Sequence, residues 1–185
     1  MTATDDLRSE HEGILRMLDI LRAMAARISA GETVPPAQLK SILDFLKVFA
    51  DKCHHGKEED ILFPALEEAG LPREGGPIGV MLHEHTLGRG HIRDMGTALE
   101  TLPGAGQAGY AAFSAAALAY ADLLTQHIAK ENTVLFPMAE RLLGVAALTD
   151  MHEPFERIEA ERIGPGRHEA FHRLLDDLAA QYLAV

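Results

Sequence analysis

Two stretches decide the fold: HHGKEEDILFP at 54–64 and HIAKENTVLFP at 127–137. Aligned without a gap they agree at six of eleven positions, pairing His54 with His127, Lys57 with Lys130, Glu58 with Glu131, Leu62 with Leu135, Phe63 with Phe136 and Pro64 with Pro137. Each copy sets a His and a Glu four residues apart. On an α-helix four residues turn about 400° and rise about 6 Å, so both side chains leave one face, one turn apart. A second echo lies upstream: His11, after Glu10, precedes the first copy by 43 residues, and His85, after Glu84, precedes the second by 42. The chain reads as H–HxxxE–H–HxxxE, a duplicated helix pair offering four imidazoles and two carboxylates.

Outward from these copies the apolar residues keep a helical rhythm. Leu7, His11, Ile14, Leu18, Leu21, Ala25 and Ile28 form one stripe, ended by Gly31 and Pro35-Pro36. Leu39, Leu43, Leu46, Ala50, His54, Glu58 and Ile61 form a second, in which Pro64 should kink or end the helix. GLPREGGP at 70–77 is a loop, with Pro77 placed to start the next helix. Ile78, Met81, His85, Gly88, Ile92, Met95, Leu99 and Leu102 make the third stripe, and LPGAGQ at 102–107 a turn. Tyr110, Phe113, Ala117, Tyr120, Leu124, His127, Glu131 and Val134 make the fourth. No stretch offers useful period-two alternation. The pattern predicts an all-α, up-down-up-down four-helix bundle with an additional C-terminal helical segment. The bundle spans 1–145. Residues 146–185 form the extension, in one or two helices broken at Gly164-Pro165-Gly166 and packed on the bundle.

His11, His54, Glu58, His85, His127 and Glu131 occupy stripe positions where Leu or Ile would otherwise stand. Six polar groups facing one core are unfavourable unless they are satisfied together. A lone core His normally has a hydrogen-bond partner and no metal, but four at matched positions in a duplicated register point to metal ligation. Imidazole with carboxylate suits iron, manganese, zinc or copper. Six ligands exceed one tetrahedral zinc and suit two octahedral ions, with Glu58 and Glu131 as bridges and a water, hydroxide or oxide completing the set.

Composition narrows the partners. The chain has 185 residues, 47% hydrophobic and 24% charged, with no Trp and a formal net charge of −11. That charge excludes nucleic acid and anionic membrane as partners. Cys53 is the sole cysteine, so neither an intrachain disulfide nor a thiolate cage can form. The N-terminal MTATDDLRSE lacks a signal-type run, and no segment has eighteen uninterrupted apolar residues. The expectation is a cytoplasmic protein.

These residues carry a family resemblance. Glu10-His11, His54-x-x-Lys57-Glu58, Glu84-His85, His127-x-x-Lys130-Glu131 and the two LFP tripeptides make residues 5–140 similar to hemerythrin-like (HHE cation-binding) proteins. The resemblance implies a four-helix bundle around two non-haem iron ions, oxo- or hydroxo-bridged, ligated by His11, His54, Glu58, His85, His127 and Glu131. It implies a protein that binds or reacts with dioxygen, peroxide or nitric oxide, in oxygen or iron sensing or under oxidative stress. Two departures separate this chain from the oxygen carriers. Arg89 stands where they have a second His on the third helix, and His127-x-x-x-Glu131 replaces their His-x-x-x-x-Asp. One imidazole is missing and a carboxylate sits nearer, which argues against reversible oxygen carriage and leaves room for oxidation chemistry or sensing. The alternative is a peroxide-consuming, catalase-like di-iron enzyme.

Other residues receive plainer expectations. His55 and Glu59 repeat the His-x-x-x-Glu spacing one residue out of step, and the second copy has Ile128 and Asn132 there, which argues for a surface or supporting role. His83 and His91 flank the third stripe and are expected in solvent or in support of a ligand. Lys57 and Lys130 are expected on the helix flank or in local electrostatics. Phe63 and Phe136 should pack the bundle end. Tyr110 and Tyr120 should be core. His168-Glu169-Ala170-Phe171-His172 matches the HExxH zinc signature, giving a remote alternative of a zinc hydrolase. Against it, no third ligand follows, and Phe171, Leu174, Leu175 and Leu178 mark the stretch as an exposed amphipathic helix.

Overall fold

The computed structural model describes residues 1–164 and 166–183, and every regular element among them is helical. Helix α1 (Ala3–Ser29) starts at Thr2, whose hydroxyl accepts from the Asp5 N–H while the Asp5 carboxylate accepts from the Thr2 N–H. Helix α2 (Pro36–Phe45) begins at a proline, where a missing N–H costs nothing. It continues through π-helical stretches Leu46–His55 and Glu58–Leu62 into α3 (Phe63–Glu68). Helix α4 (Pro77–Ala105) returns and α5 (Gln107–Lys130) runs back along it. After a π turn, Glu131–Leu135, comes α6 (Phe136–Asp150), bent at Gly144 where φ is 73°. The arrangement is an all-α helical bundle. No helix among the described residues is long and apolar enough to cross a membrane.

Two details differ from the sequence expectations. Pro64 does not end its helix, and Pro137 is accommodated in the same way. Each sits at the start of an α-helical segment directly after a π turn, in which Phe63 N–H donates to the Glu58 carbonyl and Phe136 N–H to that of Glu131. A proline ring crowds the carbonyl four residues back, and the wider π turn relieves that crowding. The turn expected at 102–107 shrinks to Gly106, at φ 52°, because α4 continues through Pro103 to Ala105.

The extension forms α7 (His152–Arg162) and α8 (Arg167–Tyr182). Of the expected break, Gly164 and Gly166 have φ of 84° and 77°, and Pro165 lies outside the described residues. The polar face of α8 is exposed and its apolar face packs on α1: Phe171, Leu175 and Leu178 are buried and belong to the bundle's own core. Burying each stabilises the chain by roughly 1.5–3 kcal/mol.

The core is divided along the bundle axis. One apolar cluster holds Ile14, Leu18, Ala50, Cys53, Ile92 and Leu124 with their neighbours. The other holds Leu7, Leu62, Phe63, Met81, Leu135 and Phe136, so the two phenylalanines do pack together. On all four bundle helices the sequence passes from one cluster to the other across His11, His54–Glu58, His85 and His127–Glu131. A polar layer thus lies between two dry ones.

Candidate metal centre

That layer assembles from every bundle helix. His11 comes from α1, His54 and His55 from the end of the first π stretch, Glu58 from the next, His85 from α4, His127 from α5 and Glu131 from the third π turn. All seven are at most 2% exposed. Their ligand atoms converge in two groups, each with all atoms within 4.8 Å: His11, His54, Glu58 and Glu131; and His55, Glu58, His85 and His127. Glu58 belongs to both, with Oε1 3.7 Å from His54 Nε2 and Oε2 3.4 Å from His85 Nε2. Glu131 spans the same gap, with Oε2 3.1 Å from His11 Nε2 and Oε1 3.1 Å from His127 Nε2.

Four of the five imidazoles have an engaged Nδ1. His54 Nδ1 lies 2.8 Å from Glu10 Oε2, His127 Nδ1 2.9 Å from Glu84 Oε2, His85 Nδ1 2.7 Å from Glu59 Oε1 and His11 Nδ1 2.9 Å from Asn132 Oδ1. Each partner atom can only accept, so each Nδ1 carries the proton and donates. Every neutral ring then turns its Nε2 lone pair inward, as metal-ligating histidines do.

The inward atoms lack protein partners. His11 Nε2, His54 Nε2 and both oxygens of Glu58 and of Glu131 are buried without a hydrogen bond, and His55 Nδ1, also without one, lies 3.5 Å from Asp51 Oδ1. His85 Nε2 faces His127 Nε2 at 3.1 Å. An orphaned buried polar atom costs about 1–3 kcal/mol, and more where charged. Six such atoms in one layer are unfavourable until cations accept their lone pairs. Imidazole nitrogen and carboxylate oxygen, with no thiolate, suit first-row divalent metals, so the donor set fits a two-metal centre.

Residues 2–139 match the family description "Hemerythrin HHE cation binding domain". The chain belongs to the hemerythrin HHE family. It is 29% identical over 180 residues to an uncharacterised protein of Mycobacterium tuberculosis, an alignment covering 97% of this chain and 68% of that one. It is 32% identical over 138 residues to the iron-sulfur cluster repair protein YtfE of Edwardsiella ictaluri, covering 70% of this chain and 59% of the relative. With the YtfE of Musicola paradisiaca the identity is 34% over 138 residues, 71% and 60% of the two chains. No solved structure matches.

Against the hemerythrin pattern, His55 is the notable addition. Against the expectation of a surface or supporting place, it is 2% exposed and its ring stacks on His85 with centroids 3.9 Å apart. Arg89, four residues after His85, pairs with Asp51 and Glu59 at 2.7 and 2.8 Å. Glu59 and Asn132 support His85 and His11 and so stand equivalent in the two copies. Glu10 and Glu84, first met only as part of the echo, hold the other two imidazoles. Lys57 is buried and contacts Glu10 at 2.5 Å, whereas Lys130, paired with Glu84, keeps 41% of its side chain exposed. His83 is exposed and His91 half-buried. Tyr120 is core, with a buried hydroxyl that has no partner. His168 and His172 belong to neither convergent group: His168 Nδ1 faces Glu159 Oε1 of α7 at 2.6 Å.

Charge balance in this layer is carried by protons when no metal does so. Burial opposes the His85 imidazolium, but Glu58 and Glu59 outweigh burial and lift its pKa to about 9. His54 and His127 are also raised, against burial, chiefly by Glu58 and by Glu131 respectively. His55 goes the other way: burial, then the neighbouring His85 and His127, hold it well below the ordinary range. Glu131 stays low despite burial because His127 and His11 flank it. Glu10 is pulled down to about 2, against burial, by His54 and Lys57.

Proposed function

We propose that this hemerythrin-family chain holds two non-haem iron ions and binds or reacts with a small diatomic ligand or peroxide. One ion is assigned to His11 and His54, the other to His55, His85 and His127, with Glu58 and Glu131 bridging. The carrying observation is the two convergent groups sharing Glu58, with their inward atoms orphaned. Two irons would supply one-electron redox steps and open positions for dioxygen, nitric oxide or peroxide. The chain's own contribution is to orient four imidazoles through Nδ1 and to exclude water with the apolar clusters above and below. A peroxide-consuming di-iron enzyme is the second reading, supported by the Glu131 carboxylate one turn from His127; equal peroxide decomposition by wild type and His54→Ala would reject it. The likeness to two iron-sulfur cluster repair proteins supports iron as the metal. An acidic chain with one buried thiol fits the cytoplasm.

The test is metal analysis of protein purified after growth in iron-rich medium, with the absorption spectrum of the air-exposed sample. We expect close to two irons per chain and the bands of a bridged ferric pair. Fewer than one transition-metal ion per chain would overturn the assignment, and zinc in both positions would overturn the iron.

A further inference from the structure

The two copies of the motif build the same supporting triad, but only one triad reaches the C-terminal extension. In the second copy His127, Glu84 and Lys130 end in solvent. In the first, Lys57 is 4% exposed, and its Nζ lies between two carboxylates: Glu10 Oε1 at 2.5 Å and Glu159 Oε2 at 3.4 Å. Glu159 belongs to α7, as does Phe155, whose ring centre lies 5.5 Å from the same ammonium. The other oxygen of Glu159 faces His168 of α8. A continuous line of contacts therefore runs His168, Glu159, Lys57, Glu10, His54. It opens into a cavity of about 570 Å³ between α1, the first π stretch and the two extension helices.

We propose that Glu159 is a positioning residue through which the extension tunes the His54 half of the centre, and only that half. A buried ammonium shared by two carboxylates leaves more charge on Glu10 for the His54 Nδ1–H than an ammonium resting on Glu10 alone. A stronger acceptor at Nδ1 fixes the ring and makes Nε2 a better donor. Without the Glu159 carboxylate, the whole Lys57 charge falls on Glu10, and its bond to His54 weakens. Among the described residues Lys130 pairs with Glu84 and no outer acid, so His127 should not respond. A solvent-exposed ion pair would carry little weight in this argument. Here the Lys57 and Glu10 side chains are only 5% and 10% exposed. The inference rests on the proposed ligation only for its second measurement.

The first measurement uses metal-free protein with 15N-labelled histidine, reading the ring Nδ1–H resonances of His54 and His127 in wild type, Glu159→Gln and Glu156→Gln. Glu156 is a second acid of α7 lining the same cavity without touching Lys57. Glu159→Gln should shift the His54 resonance and speed its exchange with water about tenfold, leaving His127 unmoved; Glu156→Gln should move neither. An unmoved His54 overturns the proposal. So does a joint shift of both histidines, which means general loosening, or an equal response to Glu156→Gln, which means charge acting through space. The second measurement is a cobalt(II) titration. Glu159→Gln should weaken one of two bound equivalents roughly tenfold, the low end for a lost supporting contact, and equal weakening of both counts against the proposal. Wild type binding no cobalt would overturn the metal reading instead, while the resonances still decide the role of Glu159.

Discussion

Stripped of metal, the chain should lose stability as pH rises from 6.5 to 9. The perturbation is chelation, which leaves protons to neutralise the carboxylates of the polar layer. His85 has a folded pKa of about 9, because Glu58 and Glu59 outweigh burial, against an ordinary value of 6.5. A group raised on folding adds stability that is complete below its unfolded pKa and is lost as pH climbs through its folded one. Between 6.5 and about 9, at about 1.4 kcal/mol per pH unit, His85 alone is worth about 3 kcal/mol. His54 and His127, also raised, act in the same direction. His55 is depressed, so its term strengthens with pH and is complete near 6.5, below this window. For a chain of this size 1 kcal/mol moves Tm by roughly 2–4 °C, so Tm should fall by about 6–12 °C. Urea midpoints and calorimetry in chelator at pH 6.5, 7.5, 8.5 and 9.5 measure it. A flat or rising stability across that range would refute the charge balance argued for the layer. Metal loading should reverse the trend, since the metal displaces those protons and its affinity climbs with pH until His85 is neutral.

Three further outcomes are expected. Tyr120→Phe removes a buried hydroxyl without a partner, so metal-free protein should gain about 1–2 kcal/mol in urea unfolding; a loss would reveal a partner for that hydroxyl. Phe136→Ala opens the dry layer beside His11, on whose ring Phe136 stacks at 5.4 Å, and should cost about 3–5 kcal/mol by the same assay; a cost below 1 kcal/mol would show that the layer collapses around the gap. His168→Ala should leave metal content unchanged by elemental analysis, and loss of zinc on that change would revive the hydrolase reading.

Much of this centre is legible in the sequence because the duplication repeats both its ligands and their spacing. His55 is not, and the reason is geometric. A 3.6-residue rhythm puts His55 about 100° from His54, off the stripe. The π stretch Leu46–His55 and the π turn that follows break that rhythm, and Cys53 to Glu58 are all buried, six in succession. No helical wheel predicts such a run. Lys57 is hidden for a different reason. What buries it is α7, about a hundred residues later in the chain, and the local pattern carries no trace of that cover. Asn132 misleads by chemistry: an amide opposite the carboxylate of Glu59 reads as a broken repeat, yet both oxygens accept from an Nδ1–H.

The positions where the copies differ bear most on function. Pseudo-symmetry alone would give each ion two imidazoles and a share of two carboxylates. His55, opposite Ile128, adds a donor on the His85 and His127 side only. On the proposed ligation, the ion between His11 and His54 keeps one protein donor fewer, so a small ligand is expected to bind there. That is also the half whose imidazole, His54, is backed by Glu10, the buried Lys57 and the extension's Glu159. The opposite half ends in the half-exposed Lys130. The second copy's support is local and fixed by its own helix pair. The first copy's support depends on α7 and α8 staying docked, so on the proposed ligation a displacement of those helices is expected to act first on the His54 half.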